Sequence, residues 1–347
     1  MSYTTGVAHD ATTPNNVRSS ETVASRAWFD LLRRRYGYED TTLTTVGADQ
    51  QVSGTLPLCT VNSPLTGRRL VSLPFTDVCP LLTVDEASAH QLLDRAVTLA
   101  QARHVRYLEL RTGSNAVLAA RDDFAASNLY VRSAVPLTRE TETLFAELRK
   151  SVRQQVRKAQ RCGVTVRFAQ TRDDIALYHR LHLRTRSRKH GMPAQSRRFF
   201  LDLWDTFAPA GMLHLLLAAY EGQPIAGMIL VGEGDTIRYA YGASDERALH
   251  LAPNHLLLWA ALCWAGKRGF SSLDMGRTAL ANAGLIEFKR GWGALEEPLP
   301  YYYYPQVAGL AATSEQSKTY HLLTACWKRL PLAVAAPLGA ALYKHLG

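Results

Sequence analysis

A lysine and an arginine stand side by side at Lys289 and Arg290, between an apolar run and a Gly-Trp-Gly turn. A cation held beside a reacting carbonyl could meet the negative charge that develops on its oxygen. The same pair could instead be a solvated helix end, where the helix dipole favours cations. The residue types alone leave both interpretations open.

A second group of polar residues lies a short distance before this pair. Asp274 ends a strand-like run, and Arg277 and Asn282 follow it. The carboxylate could steer an amine or take its proton, and Arg277 could hold the carboxylate through a bidentate pair. A structural Asp–Arg clamp would have the same sequence, so both interpretations stay open here as well.

Other catalytic patterns are missing from the sequence. It contains no GxSxG elbow, and no cysteine stands at a helix start beside an evident base. His and Cys are never clustered at the spacing of metal ligands, so we expect no metal site. The five cysteines form no CxxC pair, which is typical of reduced, mostly buried thiols in a cytoplasmic protein.

The composition is that of a globular, basic protein. The 347 residues suit two domains, and the net charge is +10. Residues 149–198 contain 15 Lys or Arg against only Asp173 and Asp174. A basic protein tends to meet anions such as nucleic acid, phosphorylated small molecules or an acidic membrane face.

The elements that must position these residues follow from hydrophobic periodicity and from Gly, Pro and Asn breaks. Helices are predicted over 26–36, 85–103, 140–163, 172–191, 196–208, 254–269 and 279–293. Strands are predicted over 56–61, 68–75, 105–111, 128–137, 164–169, 212–220, 223–232, 236–244, 271–276 and 298–305. From residue 164 the order is β–α–α–β–β–β–α–β–α–β, with an antiparallel centre and one crossover helix.

This order resembles the GNAT acyltransferase fold, and four segments resemble its Fem-type branch, in which two GNAT-like domains share one chain. The segments are LRKSVRQQVRKAQRCGV (148–164), LHLRTRSRKHGMP (181–193), APNHLLLWAALCWAGKRGFSSLDMGR (252–277) and GLIEFKRGWGA (284–294). In the earlier half only LPFTD (73–77) aligns. The resemblance implies an α/β (α+β) fold: a tandem GNAT-like acyl-CoA N-acyltransferase fold, with mixed, mostly antiparallel sheets flanked by helices.

We divide the chain accordingly into four parts. Residues 1–22 are expected to be a flexible polar tail, 23–143 a degenerate N-terminal GNAT-like domain, and 144–305 the C-terminal GNAT-like acyltransferase domain. Residues 306–347 are expected to form a helical tail that packs on the first domain. Because this tail is apolar with a few cations, a peripheral membrane contact is the competing interpretation.

The resemblance also implies roles for individual residues. The best-known Fem-type enzymes transfer an amino acid from aminoacyl-tRNA to an amine of a peptidoglycan precursor, and the Lys of their FKxxFG-like segment meets the reacting end of the donor. Phe288 and Lys289 match that segment here, with Trp292 in place of the usual Phe. Thr185 and Arg188 match a region that lies near the phosphates of the acceptor.

Four further residues complete the predicted site. Asp77, in LPFTD, is the candidate from the first domain, and Tyr241 lies on the central strand, one face of which must meet the cleft. The glycine loop that binds pyrophosphate in CoA-dependent GNAT enzymes is replaced by DERALHLAPNHLL (245–257). At that place Arg247 and Asn254 are the candidate donor-binding residues, with Asn254 as the expected helix cap.

An acyl- or aminoacyltransferase is therefore predicted, with acyl-CoA or aminoacyl-tRNA as co-substrate. The expected acceptor is an amine of an anionic small molecule or of a glycan, exopolysaccharide or peptidoglycan precursor of the cell envelope. tRNA is a further expected partner, whereas DNA is not. The polar N-terminus and the lack of a run of ~20 apolar residues predict a cytoplasmic protein, peripheral at the inner face of the membrane if the tail contacts lipid.

Two other classes of function stay open. The basic stretch 149–198 would also suit a nucleic-acid-binding module. The missing glycine loop would suit a non-catalytic basic binding or scaffold protein in envelope polysaccharide assembly.

Overall fold

The computed structural model describes residues 17–137, 140–306 and 318–346. Its strands, in chain order, are β1 (Glu39–Asp40), β2 (Leu43–Val46), β3 (Val52–Leu56), β4 (Cys59–Ser63), β5 (Gly67–Val71), β6 (Leu82–Thr83), β7 (Tyr107–Leu110), β8 (Ala125–Ser127), β9 (Tyr130–Pro136), β10 (Thr165–Phe168), β11 (Leu213–Tyr220), β12 (Gln223–Glu233), β13 (Thr236–Ser244), β14 (Ser272–Ala279), β15 (Leu295–Pro298) and β16 (Tyr301–Tyr304). Six short strands lack the long apolar patterns from which the others are predicted: β1, β2, β3, β6, β8 and β15.

The α-helices are α1 (Val17–Tyr36), α2 (Glu86–Ala102), α3 (Ala116–Ala119), α4 (Thr141–Glu147), α5 (Lys150–Arg161), α6 (Asp174–Arg184), α7 (Arg197–Phe207), α8 (Pro253–Lys267), α9 (Ala283–Arg290), α10 (Lys318–Arg329) and α11 (Leu332–Tyr343). A π-helix, Thr185–His190, continues α6, and a 3₁₀-helix, Glu246–Leu251, precedes α8. α1 begins at Val17, so 17–22 are helical and do not belong to the loose tail predicted for 1–22. Residues 1–16 of that tail lie outside the described residues.

Two strong local signals are the caps of α2 and α7. Asp85 accepts a hydrogen bond from the Ser88 amide at 2.7 Å, and Ser196 accepts one from the Phe199 amide at 3.1 Å. Each cap satisfies an amide that the first helical turn leaves unpaired. Both helices therefore begin within one residue of the predicted position.

The helix predicted over 140–163 is interrupted, forming α4 and α5. Leu148 and Arg149 between them are extended, with ψ of 145° and 140°. The break buries Leu148 and allows the Arg149 amide to donate to the Gly291 carbonyl at 3.1 Å. The start of α5 is thereby fixed against the end of α9.

The first large sheet has the strand order β1-β4-β5-β7-β16-β8. Only the β5–β7 pair is parallel. α2 packs on this sheet through a core that includes Leu92, Leu93 and Leu108. A separate three-stranded sheet, β2-β3-β6, lies beside the same helix.

The second large sheet has the order β10-β11-β12-β13-β14-β9-β15 and is antiparallel except at β13–β14. Helices α5 and α8 cover one face around Val156, Leu257 and Ile237. Helices α1, α6 and α7 cover the other face, in a cluster that also contains Val61 and Val71 of the first sheet. The predicted class, mixed sheets flanked by helices, is confirmed.

Two strands cross between the sheets. β9 pairs with β14 and β15 in the second sheet, whereas β16 pairs with β7 and β8 in the first. The sequence pattern assigns 128–137 to the first domain and 298–305 to the second. Both assignments are wrong in sheet membership, because strand pairing depends on partners that local patterns do not specify.

The C-terminal helices lie mainly against the second half of the chain. α10 contacts the π-helix, and α11 contacts α6. The end of the tail also reaches the first domain: Tyr38 Oη donates to the Lys344 carbonyl at 2.6 Å, and Arg69 donates to the His345 carbonyl at 3.0 Å. The tail thus contacts both halves of the chain, whereas the sequence analysis places it on the first domain.

Candidate active site

A bulge in β14 organises the candidate site. The pairing of β14 with β9 shifts register between Asp274 and Arg277, and Gly276 in the bulge has φ of +74°. A Cβ at Gly276 would lie 2.7 Å from Asp77 Oδ2. Both the positive φ and the close approach therefore require glycine at this position.

Asp274 is buried and fully engaged at the bulge. Its Oδ1 accepts from the Gly276 amide at 2.7 Å, and its Oδ2 accepts from Arg132 Nε at 2.9 Å. The predicted partner of Asp274 is Arg277, and this pairing is wrong: Arg132 on β9 takes the place. Asp274 therefore holds the bulge in shape.

Lys289 lies against the same bulge from α9, with only 3% of its surface exposed. Its Nζ donates to the Gly276 carbonyl at 2.6 Å and, over a longer distance of 3.4 Å, to the Arg277 carbonyl. Burial lowers the pKa of Lys289 to about 8, and the nearby carboxylates of Asp77 and Asp274 partly oppose that shift. The interpretation of Lys289 as a solvated helix-end cation is therefore wrong.

Asp77 brings the first domain into the cluster. Its Oδ2 accepts from the Arg277 amide at 3.1 Å, and its Oδ1 lies 3.3 Å from Arg277 Nε. Tyr301, on β16, accepts from Arg277 at 3.2 Å and donates to the Asp77 carbonyl at 2.7 Å. Arg277 also stacks over Tyr130 at 4.7 Å. This network joins the two sheets at the bulge.

The Lys289 ammonium is the group of the cluster that can take part in a reaction. An ammonium has three N–H donors, and the two carbonyl contacts of Lys289 leave one available. With a pKa near 8 it is mostly protonated at neutral pH, yet it can release a proton at a small cost. Such a group can donate to a developing oxyanion at the edge of β14.

The neighbouring strands separate beside this point. β13 and β14 pair only over Thr236–Arg238 and Ser272–Asp274. Beyond these residues β13 continues to Ser244 and β14 continues along β9, so the two strands part at Arg238 and Asp274. The buried Nε of Arg238 has no hydrogen-bond partner among the described residues. The sheet thus splits between β13 and β14, with a polar donor at the start of the gap.

Phe288 and Tyr241 occupy packing positions near these elements. Phe288 meets His255 at 5.7 Å and Trp292 at 6.3 Å between ring centroids. Tyr241 contacts Phe200 edge-on at 5.3 Å, and burial raises its pKa well above the usual range. Neither side chain has a hydrogen bond to the bulge cluster among the described residues.

The residues predicted to bind the acceptor substrate, Thr185 and Arg188, form hydrogen bonds within the protein. The Thr185 hydroxyl donates to the Ser244 carbonyl and accepts from the Ser244 amide, both at 3.0 Å. Arg188 is exposed and donates to the Lys328 carbonyl of α10. Thr185 thus ties the π-helix to the end of β13, and α10 covers the neighbouring turn.

The predicted donor residues and Asn282 have local roles. Asn254 does not cap α8: the helix begins at Pro253, Ala252 takes the N-cap position with φ of +55°, and no side chain caps it. Arg247 is exposed and pairs with Asp245 at 2.6 Å. Asn282 is exposed and caps α9 by accepting from the Leu285 amide at 3.1 Å.

Three residues of the cluster are not identified by sequence reasoning: Arg132, Tyr130 and Tyr301. Tyr301 stands within a run of four tyrosines in the predicted strand 298–305. The alternation of Tyr130 and Arg132 on one strand is a signal, but their relevance depends on β9 lying beside β14. Within residues 17–137, 140–306 and 318–346, no group of three or more His, Cys, Asp or Glu side chains could hold a metal ion. In the same ranges, no helix is long and apolar enough to cross a membrane.

Comparison with known proteins identifies the class of this fold and site. Residues 146–290 match the family described as acetyltransferase (GNAT) domain. This segment is similar to an acetyltransferase (GNAT) domain, and it contains the bulge of β14, the separation of β13 from β14 and Lys289. The predicted GNAT resemblance is confirmed.

A known protein and a solved structure are also similar to this chain. A lipid II:glycine glycyltransferase of Staphylococcus saprophyticus subsp. saprophyticus is 31% identical over 105 residues, which are 28% of this chain and 25% of that protein. The similarity thus spans about a quarter of the relative's length. The crystal structure of FemX superposes with a TM-score of 0.64 at 16% identity, covering 79% of this chain and 90% of the other. The chain therefore has a fold similar to that of FemX.

Two other solved structures share the fold at low identity. The C-terminal domain of a putative lysylphosphatidylglycerol synthetase from Agrobacterium fabrum has a TM-score of 0.58 at 14% identity, covering 84% of this chain and 92% of that one. A tandem GNAT protein from the clavulanic acid biosynthesis pathway has a TM-score of 0.50 at 14% identity, covering 83% and 95%. The tandem GNAT architecture is thereby confirmed for the chain.

Proposed function

We propose that the protein transfers an acyl or aminoacyl group from an activated donor to an amine of a cell-envelope glycan or peptidoglycan precursor. The observation that carries this proposal is the buried Lys289 ammonium, 2.6 Å from the Gly276 carbonyl where the sheet divides. A cation already fixed in a site of low dielectric stabilises a tetrahedral oxyanion without reorganisation. The name of the staphylococcal relative, lipid II:glycine glycyltransferase, supports a precursor amine as acceptor.

The residues of the cluster have different roles in the proposed reaction. Lys289 donates to the oxyanion, while Asp274 and Asp77 hold the bulge and the Arg277 backbone in position. Because both oxygens of Asp274 are already bonded, we assign the loss of the amine proton to solvent or to the substrate. The reaction is then a direct attack of the amine on the donor carbonyl.

Aminoacyl-tRNA is the favoured donor over acyl-CoA. α8 begins with Pro253, which has no N–H, so this helix start offers a poor cradle for pyrophosphate. α5 instead offers phosphate-binding charge through Lys150, Lys158 and Arg161, which are exposed. Arg149, which immediately precedes α5, forms an ion pair with Glu287 of α9 at 2.6 Å. A nucleic-acid backbone along α5 would therefore lead toward Lys289.

A transfer assay tests the proposal. Purified protein is incubated with charged tRNA or with an acyl-CoA panel, together with lipid II or its UDP-linked precursor, and products are detected by mass spectrometry. Lys289→Met should lower the rate by about 10²–10³. Arg290→Met is the matched control: it is exposed and bound to Glu296 at 2.7 Å, and its rate should stay near that of the wild type. Equal rates for both variants would refute the role of Lys289.

One observation favours a second function. Thr185 and Arg188, the predicted acceptor residues, are bonded within the protein, as would suit a non-catalytic basic scaffold of envelope polysaccharide assembly. Precursor binding without product from any donor would support the scaffold. In either case we place the protein in the cytoplasm at the inner face of the membrane, where such precursors are made.

A further inference from the structure

Helix α11 is a surface helix with an unusually apolar composition. Its sequence, LAVAAPLGAALY, contains no charged residue. The buried stripe consists of Ala335, Gly339 and Tyr343, which follow one another at a spacing of four. A Cβ at Gly339 would lie 3.0 Å from the Ala194 amide nitrogen, so small residues allow this close approach.

The opposite stripe of α11 is exposed and also apolar. Ala333, Val334, Pro337, Leu338 and Ala341 lie on one side of a 3.6-residue helix, opposite the buried stripe. Val334 is 47% exposed and Leu338 41% exposed. A helix on the surface of a globular protein normally turns a polar face to solvent.

Helix α2 of the same chain has a polar face toward solvent and can be compared with α11. It also has one buried stripe, which includes Leu92 and Ala96. Its exposed side carries Gln91, Asp94 and Arg95. The outward face of α11 is therefore suited to a different environment from that of α2.

Cations lie at both ends of the apolar stripe. Lys328 and Arg329 precede α11, Lys344 follows it, and all three are exposed. Residues 318–346 contain no Asp or Glu at all. An apolar helix face with cations at its ends is complementary to the acyl boundary and the headgroups of an anionic bilayer.

The structure also holds α11 in a fixed orientation. Gln195 donates to Tyr343 Oη at 2.8 Å and is bonded to His182 at 2.8 Å. The ring of Tyr343 stacks on Phe75 at 4.9 Å. The Lys344 carbonyl accepts from Tyr38 at 2.6 Å. The apolar stripe is thus presented outward by contacts from both halves of the chain.

We infer that α11 is a membrane-surface helix that docks the protein on anionic lipid. At 12 residues and about 1.5 Å per residue it is about 18 Å long, which is too short to cross a hydrocarbon core of about 30 Å. It lies in the plane of the interface with Val334 and Leu338 toward the acyl chains. This inference deepens the peripheral location proposed above and does not depend on the transfer reaction.

Vesicle co-sedimentation of the full chain tests the inference. Phosphatidylcholine vesicles with and without phosphatidylglycerol serve as the probes. The wild type should bind the anionic vesicles and bind neutral ones more weakly. A double variant, Val334→Asp with Leu338→Asp, should reduce binding at least about tenfold because two apolar side chains lose their burial. Lys328→Glu with Lys344→Glu should remove the preference for anionic lipid.

The matched control is a pair of exposed valines in the first domain. Val46→Asp with Val84→Asp changes two side chains that are 59% and 55% exposed and should leave vesicle binding unchanged. Melting curves verify that each variant is folded.

Three results would overturn the inference. The first is wild-type protein that fails to bind anionic vesicles, and the second is an α11 double variant that binds as the wild type does. The third is a dimer, detected by size exclusion, that forms through the exposed face of α11 and is not dissociated by vesicles. Transfer activity is measured separately, so a failure of one proposal does not count against the other.

Discussion

Replacing Lys289 by Met separates the energetic consequence of its burial from its role in chemistry. The side chain is 3% exposed, and burial lowers its pKa from 10.5 to about 8. Methionine keeps an unbranched chain of similar size but carries no proton. The free energy of unfolding of the wild type and of Lys289→Met should therefore differ in a way that depends on pH.

The magnitude and the sign follow from the linkage between protonation and folding. Lowering the pKa of Lys289 to about 8 corresponds to a free-energy cost of about 3 kcal/mol for the buried charge. Below pH 8 both states are protonated, so the full cost of burying the charge is present. Between pH 8 and 10.5 the unfolded chain binds more protons than the folded chain, so the wild type gains stability as the pH rises. We expect a gain of about 2–3 kcal/mol relative to Lys289→Met over this window.

The assay is urea unfolding of both proteins at several pH values from 7 to 10.5, followed by tryptophan fluorescence. Comparing the two proteins cancels the titration of the buried tyrosines, which is common to both. Arg290→Met, on the exposed side of α9, should follow the wild type throughout. A difference between wild type and Lys289→Met that stays constant across the window would refute the burial of the ammonium at the bulge.

Three further substitutions test the bulge beside Lys289 and the predicted acceptor-binding residue Thr185. Gly276→Ala should destabilise the protein by about 2 kcal/mol in chemical unfolding, because a non-glycine residue at positive φ is strained. The new Cβ would also lie 2.7 Å from Asp77 Oδ2, so a neutral result would show that the bulge rearranges freely. Asp77→Asn removes a charge that raises the pKa of Lys289, so that pKa should fall further and the pH window of the stability gain should widen toward lower pH. An unchanged window would mean that Asp77 does not act on Lys289. Thr185→Val should cost about 1–3 kcal/mol of stability, because two backbone groups lose their partner, while the KM for the acceptor stays unchanged. Those groups are the amide and the carbonyl of Ser244, and a raised KM at unchanged stability would instead restore Thr185 as an acceptor-binding residue.

The helices and strands with strong periodicity are predictable from the sequence. The helix predicted over 85–103 is observed at Glu86–Ala102, and the one over 196–208 at Arg197–Phe207. The three strands of the antiparallel centre, β11, β12 and β13, also lie where the pattern predicts them. In these segments the cap, the turn and the apolar stripe are all local, so a short window of sequence contains the information.

The break between α4 and α5 is not predictable in this way. Neither Leu148 nor Arg149 is a helix-breaking residue, and the helical apolar periodicity continues through both. The extended conformation is selected by the Gly291 carbonyl, which belongs to a segment distant in sequence. A tertiary contact thus overrides local propensity.

Only some residues of the candidate site can be identified from the sequence. Residue type and family resemblance select Lys289, Asp274 and Arg277, and the structure brings them to one bulge together with Asp77. The same criteria select Thr185, Arg247 and Asn254, but their side chains are bonded elsewhere. Residue type indicates what a side chain can do, whereas its partners depend on which strands lie side by side.

By itself the sequence determined the class of fold, the order of most elements and the presence of a lysine suited to stabilising negative charge. Only the tertiary structure decided that Arg132 pairs with Asp274 and that Asp77, from the first half of the chain, pairs with Arg277. The physical reason is that β9 and β16 each pair with strands distant in sequence, and the energies of such pairings depend on packing neighbours that no local pattern contains. Burial of Lys289, and with it a pKa of about 8, follows from that assembly.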